Sequence, residues 1–205
     1  MSALAQPGWF GKLPGIGDFA HRRLPETFRA QWDAWLQSGL VKLRERHEDW
    51  VERYLDGPLW FFVLGEQVAG PRAWLGVLMP SVDGVGRYFP FTLAVELEFP
   101  TGAPPDDANA LLQHWWARAA QAALEGLEQD LDAVGFDALL DRIFRNEAAA
   151  PDSAEPVHLP LAGQSHWYTE PATPIGLRMT ASGLPRERQF EALFGFTVVS
   201  NQEGA

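Results

Sequence analysis

The sequence contains no cysteine. This absence excludes disulfide bonds, a thiolate nucleophile, cysteine-ligated zinc and iron–sulfur clusters, and it fits a reducing compartment. Long hydrophobic runs are also missing: the longest is LWFFVL at residues 59–64, which is too short to cross a bilayer. The first residues, MSALAQPG, have neither the basic segment nor the apolar stretch of a secretory signal. We therefore expect a cytoplasmic protein without direct membrane insertion.

Basic residues are scarce, because 16 lysines and arginines stand against 27 aspartates and glutamates, for a net charge of −11. Such an acidic chain has no general attraction for nucleic acids or anionic lipids, so we expect neither as a partner. The acidic excess is concentrated in residues 101–160, which carry three basic and eleven acidic side chains. This concentration fits either a solvated helical face or an acidic patch that meets a basic partner, and the sequence leaves both open.

Apolar residues, by contrast, are plentiful: they make up 46% of the 205 residues, and nine are tryptophans. This content supports a substantial core, and the length suits a single domain over residues 1–205. Trp9 stands apart beside a glycine-rich segment, where we expect a role other than core packing. Four other tryptophans fall on the apolar stripes of predicted helices: Trp32, Trp35, Trp50 and Trp115.

Helical periodicity predicts five helices. We expect the first to end at Ser38-Gly39, and His47 to lie on the buried stripe of the second. The predicted stretches are residues 25–37, 40–54, 106–124, 136–147 and 186–194.

Strand-forming runs predict a three-strand antiparallel meander at residues 59–64, 73–79 and 89–99. In the third strand apolar and polar or small residues alternate, which predicts one buried face and one half-exposed face. Two short extended pieces follow at residues 164–169 and 175–180. Residues 8–24 contain four glycines and a proline, so we expect an ordered loop there. The predicted fold class is α+β: a single domain with a small antiparallel sheet packed with helices.

The glycine-rich run at residues 11–18 does not match a phosphate-binding loop, because Lys12 precedes the later glycines. Asp18 and His21 lie three residues apart, but no third ligand stands nearby. We therefore predict neither a metal site nor a cofactor. Asp18 is expected instead to accept hydrogen bonds from local backbone amides.

Ser81 and Asp83, with His21 as the base, would be the residues of a hydrolase or phosphotransfer enzyme. The G-x-S-x-G elbow is absent, and Asp83-Gly84 is a common turn pair. We predict no catalytic residue and no enzyme, and this chemistry stays an alternative. A second alternative is a small-ligand sensor with a cleft between the sheet and the N-terminal helices.

Arg87 lies between a glycine-rich turn and the start of an aromatic strand. We expect it to pair with Asp83 or Asp18, or to stack on Tyr88 or a loop aromatic. A buried pair of this kind would hold the two glycine-rich segments together. Spacing alone leaves open whether Asp18 and Arg87 serve the fold or a partner.

Two long motifs occur in these segments. The first is GWFGKLPGIGDF at residues 8–19, which is followed by Arg22, Leu24 and Pro25, and the second is SVDGVGRYFP at residues 81–90. In composition and order they resemble the motifs of the TagF family (also called ImpM), accessory proteins of bacterial type VI secretion. The resemblance is specific over residues 8–99 and loose over residues 100–205.

The resemblance implies a cytoplasmic regulator that restrains assembly or firing of the secretion apparatus after translation. It also implies action, at least in part, through a forkhead-associated (Fha) scaffold protein. Aromatic residues and arginine are enriched at binding hot spots, so we expect the two glycine-rich segments and their neighbours to contact the partner. The predicted partner-binding residues are Trp9, Phe10, Lys12, Asp18, Phe19, Arg22, Asp83, Arg87 and Tyr88.

Overall fold

The computed structural model describes residues 5–97, 108–145 and 155–196 of the chain. These residues form a seven-stranded antiparallel sheet with helices on both of its faces. The strands are β1 Gly8–Gly11, β2 Ala20–Arg22, β3 Trp60–Leu64, β4 Ala73–Met79, β5 Phe91–Leu97, β6 Gln164–Tyr168 and β7 Arg178–Ser182. The helices are α1 Glu26–Arg46, α2 Trp50–Leu55, α3 Ala108–Glu128, α4 Ala133–Arg145 and α5 Arg188–Leu193. The predicted α+β class is confirmed.

The predicted meander forms the centre of the sheet, whose strand order is β2-β1-β5-β4-β3-β6-β7. In β3, Phe62 lies opposite Gly76 of β4, and Gly76 in turn lies opposite Ala94 of β5. The C-terminal extended pieces are confirmed as β6 and β7, although β7 begins three residues later than predicted. Their pairing extends the sheet beyond β3.

The prediction of a loop over residues 8–24 is wrong at both ends of that segment, which form β1 and β2. The glycine content is explained by close packing. Gly11 has φ +134°, and a Cβ placed there would lie 2.3 Å from the backbone oxygen of Pro90. Glycine therefore lets β1 approach the entry to β5 closely, rather than preventing a strand.

The predicted helix break at Ser38-Gly39 is also wrong, because α1 continues to Arg46. A Cβ on Gly39 would lie 2.2 Å from the ring of Phe190 in α5, so this glycine makes room for a second helix. His47 caps the C-terminal end of α1 and is not a buried-stripe residue. Its ring lies 4.2 Å from that of Phe196 in a tilted arrangement, and its Nε2 has no hydrogen-bond partner within the described residues.

One face of the sheet is covered by α1, α2 and α5, with a core rich in aromatic rings. Trp32 packs 5.0 Å from the ring of Phe62, and its Nε1 donates to the Thr92 hydroxyl at 2.9 Å. Thr92 and Ala94 are therefore fully buried. The prediction of a half-exposed face on β5 is wrong at these two positions, because α1 covers them.

The opposite face is covered by α3 and α4. Helix α3 presents small residues and tryptophans to the sheet, and Trp116 Nε1 donates to the Gly76 carbonyl at 3.0 Å. The predicted N-cap of this helix, Asp106-Asp107, lies outside the described residues. No helix within residues 5–97, 108–145 and 155–196 is long and apolar enough to cross a membrane.

Candidate protein-contact site

The sheet brings the two sequence motifs together at one end. Because β1 pairs antiparallel with β5, with Phe10 opposite Thr92, the loop that leaves β1 lies beside the loop that enters β5. The first loop covers residues 12–19 and the second residues 80–90. Chain direction and pairing alone account for this meeting of two segments that are far apart in the sequence.

A buried ion pair joins the two loops. Lys12 Nζ lies 2.8 Å from Asp83 Oδ2, and both side chains are almost inaccessible to solvent. The Ser81 hydroxyl donates to the Lys12 carbonyl at 2.6 Å. Tyr54 of α2 secures the second loop, since its hydroxyl donates to the Ser81 carbonyl and accepts from the Ser81 amide, each at 3.0 Å. We call Lys12, Ser81 and Asp83 the motif root.

Asp83 uses both carboxylate oxygens. Oδ1 accepts the backbone N–H groups of Val85 at 3.2 Å and Arg87 at 2.9 Å. Oδ2 accepts from Lys12 and from Arg87 Nε, the latter at 2.7 Å. Burial by itself raises the pKa of this carboxyl, but the hydrogen bonds from Lys12 and Arg87 outweigh it and hold the pKa well below the ordinary aspartate value. Asp83 is therefore an ionised, fully engaged anchor.

Arg87 completes the clamp, because its Nη2 donates to the carbonyl of Gly17 in the first loop. Of the partners considered for Arg87, the structure shows Asp83, and Arg87 joins the two glycine-rich segments as expected, although its side chain is 52% exposed and the pair is not fully buried. Asp18 does not pair with Arg87; its carboxylate accepts the backbone N–H of Phe19 at 2.8 Å, as predicted from local capping.

Beyond the root, both loops expose apolar side chains. Phe19 is 45% exposed and Val85 is 73% exposed. The Phe19 ring packs edge-on against Phe89 at 4.7 Å and lies 4.8 Å from Lys12 Nζ, so it partly covers the buried ion pair. We call the exposed or half-exposed residues of the two loops the motif surface: Asp18, Phe19, Val85, Arg87 and Tyr88.

The other predicted partner-binding residues are not part of this exposed surface. Trp9 is fully buried: its ring packs on Phe136, and its Nε1 donates to Asp137 Oδ1 at 2.9 Å. The expectation that Trp9 serves something other than the core is therefore corrected. Phe10, Lys12 and Asp83 are also buried, so they support the surface from below instead of forming it. Arg22 is exposed on β2, where it pairs with Asp137 of α4 at 3.5 Å.

The three residues considered for hydrolysis are not arranged as a nucleophile and base. Among the described residues, the Ser81 hydroxyl bonds a backbone carbonyl, and Asp83 bonds lysine, arginine and backbone N–H groups. His21 is exposed on β2, where burial, Arg29 and Arg22 lower its pKa. The interface where a ligand cleft was considered, between the sheet and α1, is packed with aromatic rings. Within the described ranges no cluster of His, Asp or Glu suits a metal ion.

Sequence reasoning missed Val85, Arg44 and Trp50 as neighbours of the site. Arg44 Nη2 lies 3.5 Å from the Tyr88 carbonyl, and its guanidinium lies 4.5 Å above the Trp50 ring. A usable signal existed only for Val85, because an apolar residue between two glycines at a turn tip is poorly placed for burial.

Comparison with known proteins identifies one family. The family model described as the TagF N-terminal domain, type VI secretion system-associated, matches residues 8–143, which include both motif loops. The crystal structure of PA0076 from Pseudomonas aeruginosa PAO1 is similar, with a TM-score of 0.72 and 31% sequence identity. That similarity covers 94% of this chain and 95% of the PA0076 chain. No curated protein matches the chain significantly.

Proposed function

Because the chain belongs to the TagF N-terminal domain family associated with type VI secretion, we propose that it regulates this apparatus by binding one of its proteins. The proposed contact is the motif surface. We further propose that the protein acts in the cytoplasm, after translation, and restrains assembly or firing of the apparatus. A forkhead-associated scaffold is the partner that the family resemblance implies.

One observation carries the proposal. The buried root and the Arg87 clamp fix two distant loops against each other, and the fixed surface exposes the side chains of Phe19 and Val85. A rigid surface loses little conformational entropy on binding, and exposed apolar side chains gain burial when a partner covers them. These properties favour protein recognition.

We propose that the chain acts without catalysis. Supporting this, the Ser81 hydroxyl and the Asp83 carboxylate are committed to holding the loops, and their hydrogen bonds within the described residues include no imidazole. A nucleophile needs a base within hydrogen-bond reach. Assays against generic phosphatase and esterase substrates, with and without divalent metal, test this, and turnover abolished by Ser81→Ala would overturn it.

Affinity capture from a cell that carries a complete type VI secretion cluster tests the proposed contact. The baits are the wild-type chain, a Phe19→Ser/Val85→Ser variant and a matched control, Leu161→Ser/Ile175→Ser. The control removes two apolar side chains that are 73% and 85% exposed and lie on the segments around β6 and β7, at the opposite edge of the sheet.

We expect the wild type and the control to capture the same secretion protein, and the motif-surface variant to lose at least about tenfold in yield, since central apolar contacts dominate binding energy. Overproduction should lower secretion for the wild type and the control only. Equal capture by all three baits would refute the motif surface as the contact.

A further inference from the structure

The charges around Tyr88 indicate what kind of partner fits the motif surface. We infer that the surface takes an acidic protein segment, in which a carboxylate binds between Arg87 and Arg44 while a neighbouring apolar side chain covers Phe19 and Val85. This inference rests on the proposed function and specifies the chemistry of the partner.

Only part of the charge at the two loops reaches solvent. Lys12 and Asp83 are buried and neutralise each other. The exposed charges at the loops are then Arg87 and Asp18, and Arg44 of α1 adds a second cation beside Tyr88. Counted over Lys12, Asp83, Arg87, Asp18 and Arg44, these groups carry one net positive charge, in a chain whose net charge is −11. Because the chain as a whole repels an acidic partner, this local field selects where such a partner can dock.

The guanidinium of Arg87 is held in place by two of its three nitrogens. Nε donates to Asp83 and Nη2 donates to Gly17, which fixes the plane of the guanidinium. Nη1 makes no hydrogen bond within the described residues, and the side chain is 52% exposed. A positioned guanidinium with a free N–H edge is a strong hydrogen-bond donor to a carboxylate, because the side chain has already lost its rotamer freedom.

Tyr88 also contacts Trp50 of α2 and a second cation, Arg44. The Tyr88 ring packs edge-on against Trp50 at 5.4 Å, and the Arg44 guanidinium lies over Trp50 beside the Tyr88 carbonyl. The Tyr88 hydroxyl has no hydrogen-bond partner within the described residues, and the ring is half-buried. Asp49, the N-cap residue of α2, pairs with Arg53 at 2.6 Å. Arg44 thus lies beside the Tyr88 backbone and over Trp50, and Tyr88 directly follows Arg87 in the chain.

Each of the two loops that Arg87 joins has an exposed apolar side chain. Phe19 and Val85 lie on the two loops that Arg87 bridges, so an acidic residue bound to Arg87 brings its chain neighbours over them. Apolar burial supplies affinity, whereas the charge pair supplies orientation and salt dependence.

The test uses the secretion protein that the wild-type bait captures, purified and titrated against this 205-residue chain. We expect Arg87→Met and Arg44→Met each to weaken binding about tenfold. Asp18→Asn keeps the hydrogen bond to the Phe19 amide but removes the negative charge, so it should tighten binding about twofold at low salt. The control is Arg145→Met on α4, where the arginine is 77% exposed, and it should change nothing.

Raising salt from about 50 mM to about 300 mM should weaken wild-type binding and reduce the difference between Asp18→Asn and wild type. Arg44 and Asp18 lie outside the buried ion pair, so their variants remain informative if Arg87→Met disturbs the loops. Weaker binding by Asp18→Asn would indicate a cationic partner and overturn the inference, as would capture of nothing but a second copy of this chain.

The two proposals fail in different ways. Loss of binding in Phe19→Ser/Val85→Ser, with no effect of the three charge variants, would retain the motif surface and overturn the acidic partner. No difference between Phe19→Ser/Val85→Ser and its control would overturn the proposed function and this inference together.

Discussion

The motif root and the motif surface come from the same two loops, yet they differ in almost every physical respect. In the root, Lys12 and Asp83 are buried and all of the carboxylate's acceptor oxygens are used. On the surface, the side chains of Val85 and Phe19 are 73% and 45% exposed, and one guanidinium nitrogen of Arg87 has no hydrogen bond within the described residues. Membership of a motif therefore does not distinguish a residue that builds a site from one that makes contact there.

The largest expected effect is in the root. Asp83→Ala removes the partner of a buried lysine and leaves its charge uncompensated. We expect a loss of about 3–5 kcal/mol in the free energy of unfolding, measured by urea denaturation, because breaking a buried pair costs far more than removing both partners. Lys12→Met/Asp83→Ala should recover part of that loss.

The control for this change is Asp141→Ala on α4, whose carboxylate is 46% exposed and pairs with Arg145 at the surface. The carboxylate also accepts one hydrogen bond, from Gln6 Nε2 at 2.9 Å; an exposed pair and one such bond contribute little, so we expect a change of at most about 1 kcal/mol. A loss below about 1 kcal/mol for Asp83→Ala would remove the distinction between root and surface.

The second prediction concerns acid. The pKa of Asp83 is lower in the folded chain than the ordinary aspartate value, so the unfolded chain binds its proton first as pH falls. The stabilisation is therefore complete above about pH 5 and is lost progressively below about pH 4. Asp83→Asn should be less stable at pH 7 but should lose less stability than the wild type between about pH 5 and pH 2. Parallel stability curves for the two proteins would contradict an ionised Asp83 in the root.

Much of the fold follows from local pattern. The three central strands were predictable because two are short apolar runs and the third alternates apolar with polar or small residues, and β4 begins and ends at the predicted residues. The errors at Gly11 and Gly39 share one cause: each glycine makes room for a residue far along the chain, Pro90 in one case and Phe190 in the other. A sequence shows that a side chain is missing, but not which neighbour fills the space.

In the candidate site, too, contacts between near neighbours in the sequence were predictable and contacts between distant residues were not. The pairing of Arg87 with Asp83 could be expected because the two residues are four positions apart, but Lys12 and Asp83 are separated by 71 positions and meet only through the pairing of β1 with β5. Trp9 and Phe10 alternate on β1, so a sheet covered on one face would expose one of them. Both are buried because helices cover both faces, and that arrangement depends on the whole fold.

The smallest expected effect on stability is at the surface. The Val85 side chain is 73% exposed, and only its backbone N–H contributes to the root, so Val85→Ser keeps the hydrogen bond to Asp83. We expect the free energy of unfolding to change by less than about 0.5 kcal/mol, as for Leu161→Ser at the same exposure. A loss above about 1 kcal/mol would show that Val85 supports the fold. If Val85→Ser is as stable as the wild type, the fold does not need the Val85 side chain. A loss of capture by Phe19→Ser/Val85→Ser could then not be attributed to unfolding caused by the change at Val85.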